Sequence, residues 1–402
     1  MNTRQSTKQA GDFDPEFGTN GIALLPGELP NAWSGLLSDG KFLTGSRMGP
    51  DLVLLRHLDN GEPDTSFGEN GVKRVYAVTP SDGVKLAVFS DDSALLYTKT
   101  MGSSGEEIIL VRTLPDGNLD TGFGNDGVLT FSIGLGINQP GRALMQDDGK
   151  ILLSVTVGYP PSHDDAFLVR LDNGNFDPDF GDNGTGITFI GTNRTVRDLL
   201  VLPDDHLFLA GFMDYSVLFM QRMPDGSADP AFGTDGTVLL NFGNYPSANI
   251  ERIARQADGK IVAVGGVNVT VFDSATLTIR ITQDGQMDRT FNNGAPIIIR
   301  FDGVTSQQYA VEIQADNKIL SAGQLFGETQ ASDFLLMRFL PDGTLDPAFG
   351  TDGKSLSNWG GLEILDDMAL QPDGKAVIFG DVIDMDAGVR RKMIVRYLTS
   401  ST

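Results

Sequence analysis

Seven arginines stand inside otherwise apolar runs: LVLLRHL, IILVRTL, AFLVRL, VLFMQRM, LTIRI, FLLMRF and MIVRYL. They are Arg56, Arg112, Arg170, Arg222, Arg280, Arg338 and Arg396, and each of the first six precedes the aspartate of an Asp-x-x-Phe segment by seven or eight residues. A guanidinium in a half-buried strand needs carboxylate or carbonyl partners. The expected role is therefore a clamp on the loop that follows; a functional ring of arginines is the other reading. The loops themselves, such as DGNLDTGFGNDG from Asp116 to Gly127, gather oxygen ligands of the kind calcium takes. They lack the Asp-x-Asp-x-Asp-Gly core of the familiar calcium loop, and Asp, Asn and Gly also serve turns directly. Structural turns are the expectation, with calcium left open as the one cofactor and no metal ligand assigned. The three histidines, His57, His163 and His206, fit no zinc spacing, nucleophile elbow or phosphate-binding loop, so no catalytic residue is assigned. With no cysteine, disulfides and thiolate catalysis are excluded.

The elements that carry these residues recur. An Asp-x-x-Phe-Gly-x-x-Gly segment begins at Asp14, Asp64, Asp120, Asp177, Asp229 and Asp346, with a shortened DRTFNNG at Asp288. Its phenylalanines are Phe17, Phe67, Phe123, Phe180, Phe232, Phe291 and Phe349, spaced 50 to 59 residues apart. Between them lies an Asp-Gly-Lys turn leading into an apolar run, as in DGKILL at Asp148 and DGKIVAVGG at Asp258. Two copies are degenerate, DSALLY at Asp92 and DDHLFLAG at Asp204. An Asp-Gly pair between apolar runs is a strong hairpin signal, because the turn needs positive φ. No helical period is sustained. Each unit reads as four short strands: A before the turn, B after it, C with the arginine, D after the Phe-Gly segment. Four strands per repeat is the pattern of a propeller blade.

This predicts an all-β fold, a seven-bladed β-propeller with four antiparallel strands per blade. Residues 1–11 are expected to be a flexible tail, 12–398 one domain, and 399–402 a second tail. The chain opens on the piece of repeat that would follow Arg396, so Ile22 to Leu25 should pair with Met393 to Leu398 and latch the ring. The Leu-Asp-x-x-Phe-Gly-x-Asp-Gly segments and the turns at Gln256 to Ile261 and Gln371 to Ala376 resemble the bacterial delta-60 repeat family of β-propellers. The resemblance runs from Asp12 to Leu398 and implies the fold; it brings no activity and no catalytic residue.

Thirty basic against 53 acidic residues leave a net charge of −23. Such a surface repels phosphate backbones, so neither nucleic acid nor an anionic membrane is an expected partner. No run approaches the roughly 18 apolar residues of a membrane span, and no secretory h-region is visible. A cytoplasmic protein and one exported without a cleavable signal both fit, and a monomer is expected. The partner is left as a small molecule, a carbohydrate or a protein.

Comparison of the copies with one another locates the functional face. The A–B turns and C–D loops repeat closely, while the D–A and B–C connections diverge, as in FSIGLGINQPG, NFGNYPSANIE and TVGYPPSHDDA against GFMDYS. Variable loops on a uniform scaffold are where binding usually lives. The residues expected to line that face are Trp33, Lys85, Arg142, Asp198, Arg252, Tyr309 and Asp367, at or near the starts of the inner strands. The expected function is a non-enzymatic binding scaffold with its site at the central opening. The alternative is a hydrolase or lyase acting on a sugar or lactone, with a metal or paired carboxylates at that opening.

Overall fold

The structure is a computed structural model that describes residues 8–401, except 28, 30, 31, 79, 103, 104, 135, 161, 271, 272, 328–331, 358, 360 and 386. Among the described residues there is no α-helix, only strands and two short 3-10 turns at Asp182–Gly184 and Asn292–Gly294. The chain is all-β, as the absence of a helical period requires.

The second and third strands of each unit are apolar on both faces. Ile261–Asn268 (IVAVGGVN) and Ser274–Ile281 (SATLTIRI) are almost wholly buried. A strand covered on both faces reads as a continuous apolar run rather than an alternating one. The fourth strand is the exposed one, as in Val72–Ala77, where no residue is buried.

Four of the sheets have four antiparallel strands each, for example Trp33–Leu36, Phe42–Met48, Asp51–His57 and Val72–Ala77 in that order. A fifth sheet adds the two-residue strand Asn175–Phe176. The sixth has eight strands, in which two antiparallel groups are joined by the single parallel pair Ser332 and Leu362. In the second of these groups Ile22–Leu24 pairs with Val389–Tyr397, Ile22 facing Val395 and Leu24 facing Met393. Packing begins before Asp12: Ala10 is buried, and the Gly11 N–H donates to the Leu398 carbonyl.

The hydrophobic core lies between sheets rather than inside any one of them. Phe42, Val53 and Leu55 of the first sheet, for instance, pack against Val377, Phe379 and Ile394. All seven phenylalanines of the Asp-x-x-Phe segments are at most 2% exposed, so each is a wedge in this core.

The arginines do what a buried guanidinium must. Arg56, Arg112, Arg170, Arg280 and Arg338 each place Nε 2.6–3.3 Å from the aspartate of the following loop, and Arg396 lies 2.9 Å from Asp14. Five of these guanidiniums also stack on the phenylalanine of the same segment, at 4.3–4.7 Å from the ring centroid. The other carboxylate oxygen accepts the N–H two residues on, closing an Asx turn in every copy. Lysines of the preceding turns, including Lys150 and Lys260, reach the same carboxylates at 3.1 and 3.2 Å.

Arg222 does not belong to this set. Its neighbour Gln221 pairs with Phe208, the register position that Arg170 holds opposite Leu152. Gln221 donates to Asp229 at 2.9 Å, while Arg222 turns to the Ile190 carbonyl. His206 stands 3.8 Å from Asp229, where other copies use lysine.

This difference sets a stability prediction. Arg170 and Asp177 are both buried, so Arg170→Ala leaves a buried carboxylate with a weakened partner set and should destabilise by about 3–5 kcal/mol. Gln221→Ala removes one neutral hydrogen bond and should cost about 1 kcal/mol. Urea unfolding of the two variants measures the difference; equal losses would contradict the clamp.

Candidate functional site

The first strand of each group packs against the first strand of the next, and Trp33–Leu36 also contacts Leu362–Leu370. These strands share a register. The residue opposite the fourth position of the second strand is Trp33, Lys85, Asp198, Arg252, Ala310 and Asp367 in six copies. In the remaining copy it is Arg142, whose N–H donates to the Ser154 hydroxyl at 2.9 Å. Five of the strands break register just before this point. Such a bulge inserts an extra residue and re-aims its neighbours. Six of the seven expected residues therefore occupy one equivalent position. Tyr309 is the exception: it sits in the bulge, one residue before Ala310.

Trp33, Lys85, Arg142, Arg252, Tyr309 and Asp367 line one cavity of about 470 Å³. Asp198 faces a second cavity of about 520 Å³, which Arg142, Arg252 and Asp367 also border. The first is lined by the whole of Trp33–Leu36 and Lys85–Val88 together with Val196 and Glu251; the second is bordered by later residues such as Ser90 and Arg255.

Between the two runs a cycle of ion pairs. Arg142 lies 3.1 Å from Asp367 and 3.6 Å from Asp198, and Arg252 lies 2.8 Å from Asp367 and 3.8 Å from Asp198. Asp198 also accepts the N–H groups of Leu199 and Ile253, each at 3.0 Å. Burial opposes the charge on Asp367, but Arg252 and Arg142 outweigh it and hold this carboxyl below its usual range. Asp367 is thus held as an anion by the two cations it touches.

Four further charged groups border the first cavity without having been anticipated: Arg197, Glu251, Glu312 and Asp366. Three of them occupy bulges, which apolar patterning does not reveal. Glu312 lies two residues beyond Ala310 and so shares its face of the strand, a signal the alternation of side chains contains. Burial pushes the Glu312 carboxyl up to about 7, with Asp367 adding to the shift. Burial, then the charge of Arg197, pulls the Lys85 ammonium down to about 8. Burial also raises Asp366 against the opposing pull of Lys392, to which it is ion-paired. Perturbed groups of both signs in one cavity mark a candidate functional site. Among the described residues no three His, Cys, Asp or Glu side chains are grouped to hold a metal ion. Among the described residues no helix is long and apolar enough to cross a membrane.

Two stretches, residues 256–291 and 314–349, match the family described as "Domain of unknown function (DUF5122) beta-propeller". Each runs from the glutamine before a turn to the phenylalanine of an Asp-x-x-Phe segment. A comparison with curated proteins finds no match. Among solved structures, prolyl oligopeptidase B from Galerina marginata is similar at 13% identity over 92% of this chain and 49% of that one, with a TM-score of 0.51. The chain thus spans about half the length of that enzyme. An ulvan lyase, a polysaccharide lyase, is similar at 12% identity over 98% of this chain and 96% of that one, with a TM-score of 0.50. The β-propeller domain of Nup133 from Vanderwaltozyma polyspora is similar at 7% identity over 95% and 97%, with a TM-score of 0.47. With two propeller-family matches in a chain whose sheets pack face to face through successive cores, the protein folds as a β-propeller.

Proposed function

We propose that the chain is a seven-bladed propeller whose channel mouth, on the side of the variable connections, is a binding site for a small ligand. The strand groups that support seven blades are those with inner strands beginning at Trp33, Lys85, Ile137, Arg194, Ser247, Thr305 and Leu362. Ile22–Leu24 is then the outer strand of the last blade and latches the ring.

One observation carries the binding reading. The equivalent inner-strand position holds Trp, Lys, Arg, Asp, Arg, Ala and Asp in chain order, whereas the clamp positions hold Arg, Asp and Phe almost without exception. A position of purely structural use is constrained alike in every blade; a position that contributes to one shared cavity is free to differ. The cavity volume falls within the range of small-molecule sites, about 300–1,000 Å³. Binding scaffolds need only such a cavity and fixed polar groups around it.

A second reading, a hydrolase or lyase acting on a sugar or lactone, draws on Glu312, because a carboxyl poised near neutrality can exchange protons with a substrate. Carbon-13 NMR of the Glu312 carboxyl should titrate near pH 7, and a midpoint in the ordinary glutamate range would remove the basis of this reading.

The binding reading is tested with indole-labelled protein, which carries only two tryptophans. Trp33 borders the cavity, while Trp359 packs on Phe13 away from it. A library of small polar compounds should include members that shift the Trp33 indole signal, leave Trp359 in place, and lose this effect in Lys85→Glu. Compounds that perturb only Trp359, or that bind equally well to the variant, would place the site elsewhere.

A further inference from the structure

The chain is strongly acidic, yet the first cavity gathers four cations: Lys85, Arg142, Arg197 and Arg252. Their partners are unequal. Arg142 and Arg252 are held by Asp198 and Asp367 in the ion-pair cycle. Arg197 is 3.4 Å from Glu251, with its side chain 46% exposed and its guanidinium over the Phe212 ring. Lys85 stands apart. Its ammonium donates to the Pro140 carbonyl at 2.8 Å and lies 5.6 Å from the Trp33 ring centroid. Among the described residues no carboxylate comes within ion-pair distance of it. An ammonium carries three donors, and among the described residues only the Pro140 carbonyl accepts from this one, which borders the cavity. Glu312 borders the same cavity, and its carboxyl makes no hydrogen bond or ion pair among the described residues.

Resting on the reading of this cavity as a binding site, we propose that its ligand is a small hydroxylated monocarboxylate, a sugar acid by class. Its carboxylate takes the free donors of Lys85, with Arg197 beside it. Its hydroxyls exchange hydrogen bonds with the neutral Glu312 carboxyl, which both donates and accepts, and its body lies along the Trp33 ring, an apolar face with a polar edge. A single negative charge suits the lining. Asp366 is paired by Lys392 from behind, and the two arginines of the cycle are matched by two aspartates. With Arg197 matched by Glu251 as well, Lys85 is the one lining cation without a carboxylate among the described residues, so a dianion would bring one charge more than it can offset.

The charges around the two free groups give the site a pH dependence. Lys85 feels Arg197, Arg142 and Arg252, opposed by Asp82. Glu312 feels Asp367 and Asp198, opposed by Arg252 and Arg142. Below about 7 the lysine is charged and the glutamate neutral, which favours a bound carboxylate. As pH rises, Glu312 becomes an anion and then Lys85 loses its charge, so both changes weaken binding.

The test uses the full chain with Trp359→Phe, leaving Trp33 as the reporter, titrated with D-glucuronate, D-glucose and glucose 6-phosphate. Glucuronate should give a saturable Trp33 response at about pH 6 that weakens by about tenfold or more at about pH 8.5. The same loss should appear at about pH 6 in Lys85→Met, which keeps the stem and removes the charge. The pH comparison needs no variant at Lys85, so the proposal does not depend on that variant folding. Glucose binding as tightly as glucuronate would overturn the carboxylate while leaving the cavity a binding site. Tighter binding of glucose 6-phosphate would overturn the single charge. No response to glucuronate overturns the ligand class; the library shifts of Trp33 then decide separately whether the cavity binds at all.

Discussion

A buried guanidinium facing a buried carboxylate joins three parts of the chain that would otherwise be separate. In the third copy, Arg170 on the strand His163–Asp172 meets Asp177 on the loop, lies over Phe180 in the core, and donates to the Pro224 carbonyl of the next copy. Arg280 repeats this with Asp288, Phe291 and Pro341, and Arg338 with Asp346, Phe349 and Thr399. The last, Arg396, reaches back to Asp14, Phe17 and the Asp59 carbonyl at the beginning of the chain. Removing such charges from water is expensive, and the pair is retained only where geometry and extra hydrogen bonds compensate. Here the Asx-turn N–H and the turn lysine supply those bonds. The clamp thereby sets both the shape of each loop and its distance from the next sheet.

With spacing fixed at the outer ends of the strands, the inner strands are free to carry different chemistry. Their bulges make this possible, because an extra residue exposes side chains such as Arg197, Glu251 and Asp366 toward the cavity without changing the pairing on either side. Trp33, Lys85 and Arg142 are equivalent by register, yet they present an aromatic ring, an ammonium and a guanidinium. The ion-pair cycle of Arg142, Asp198, Arg252 and Asp367 lies between the two cavities, and among the described residues Lys85 and Glu312 make no ion pair.

Much of this was legible before any coordinates, and the limits have physical causes. The repeating phenylalanines and arginines could be read because their environments repeat. The Asp-Gly turns could be read because one position requires positive φ, met by Gly149 and Gly259 and, in the degenerate copies, by Asp92 and Asp205. Arg222 was misassigned because Gln221 and Arg222 are adjacent, and only the strand register shows which one faces the loop. Of the residues named near the starts of the inner strands, six fall at one register position and Tyr309 falls one residue before it, in a bulge. The cycle of ion pairs was invisible, since its members are far apart in sequence and meet only through the arrangement of the sheets.

The central claim is that the Arg–Asp clamp, more than the apolar pattern shared by all copies, holds each unit to the next. Native-state hydrogen exchange resolved by fragment tests it directly. The unit with Gln221 and His206 in place of Arg and Lys has a full complement of strands and a buried Phe232, but no guanidinium on Asp229. The account predicts that amides of Leu207–Met213 and Ser216–Arg222 exchange first among the buried strands, ahead of Ile151–Tyr159 and Ile261–Asn268. Equal protection across these strands, or slowest exchange in the Gln221 unit, would contradict it.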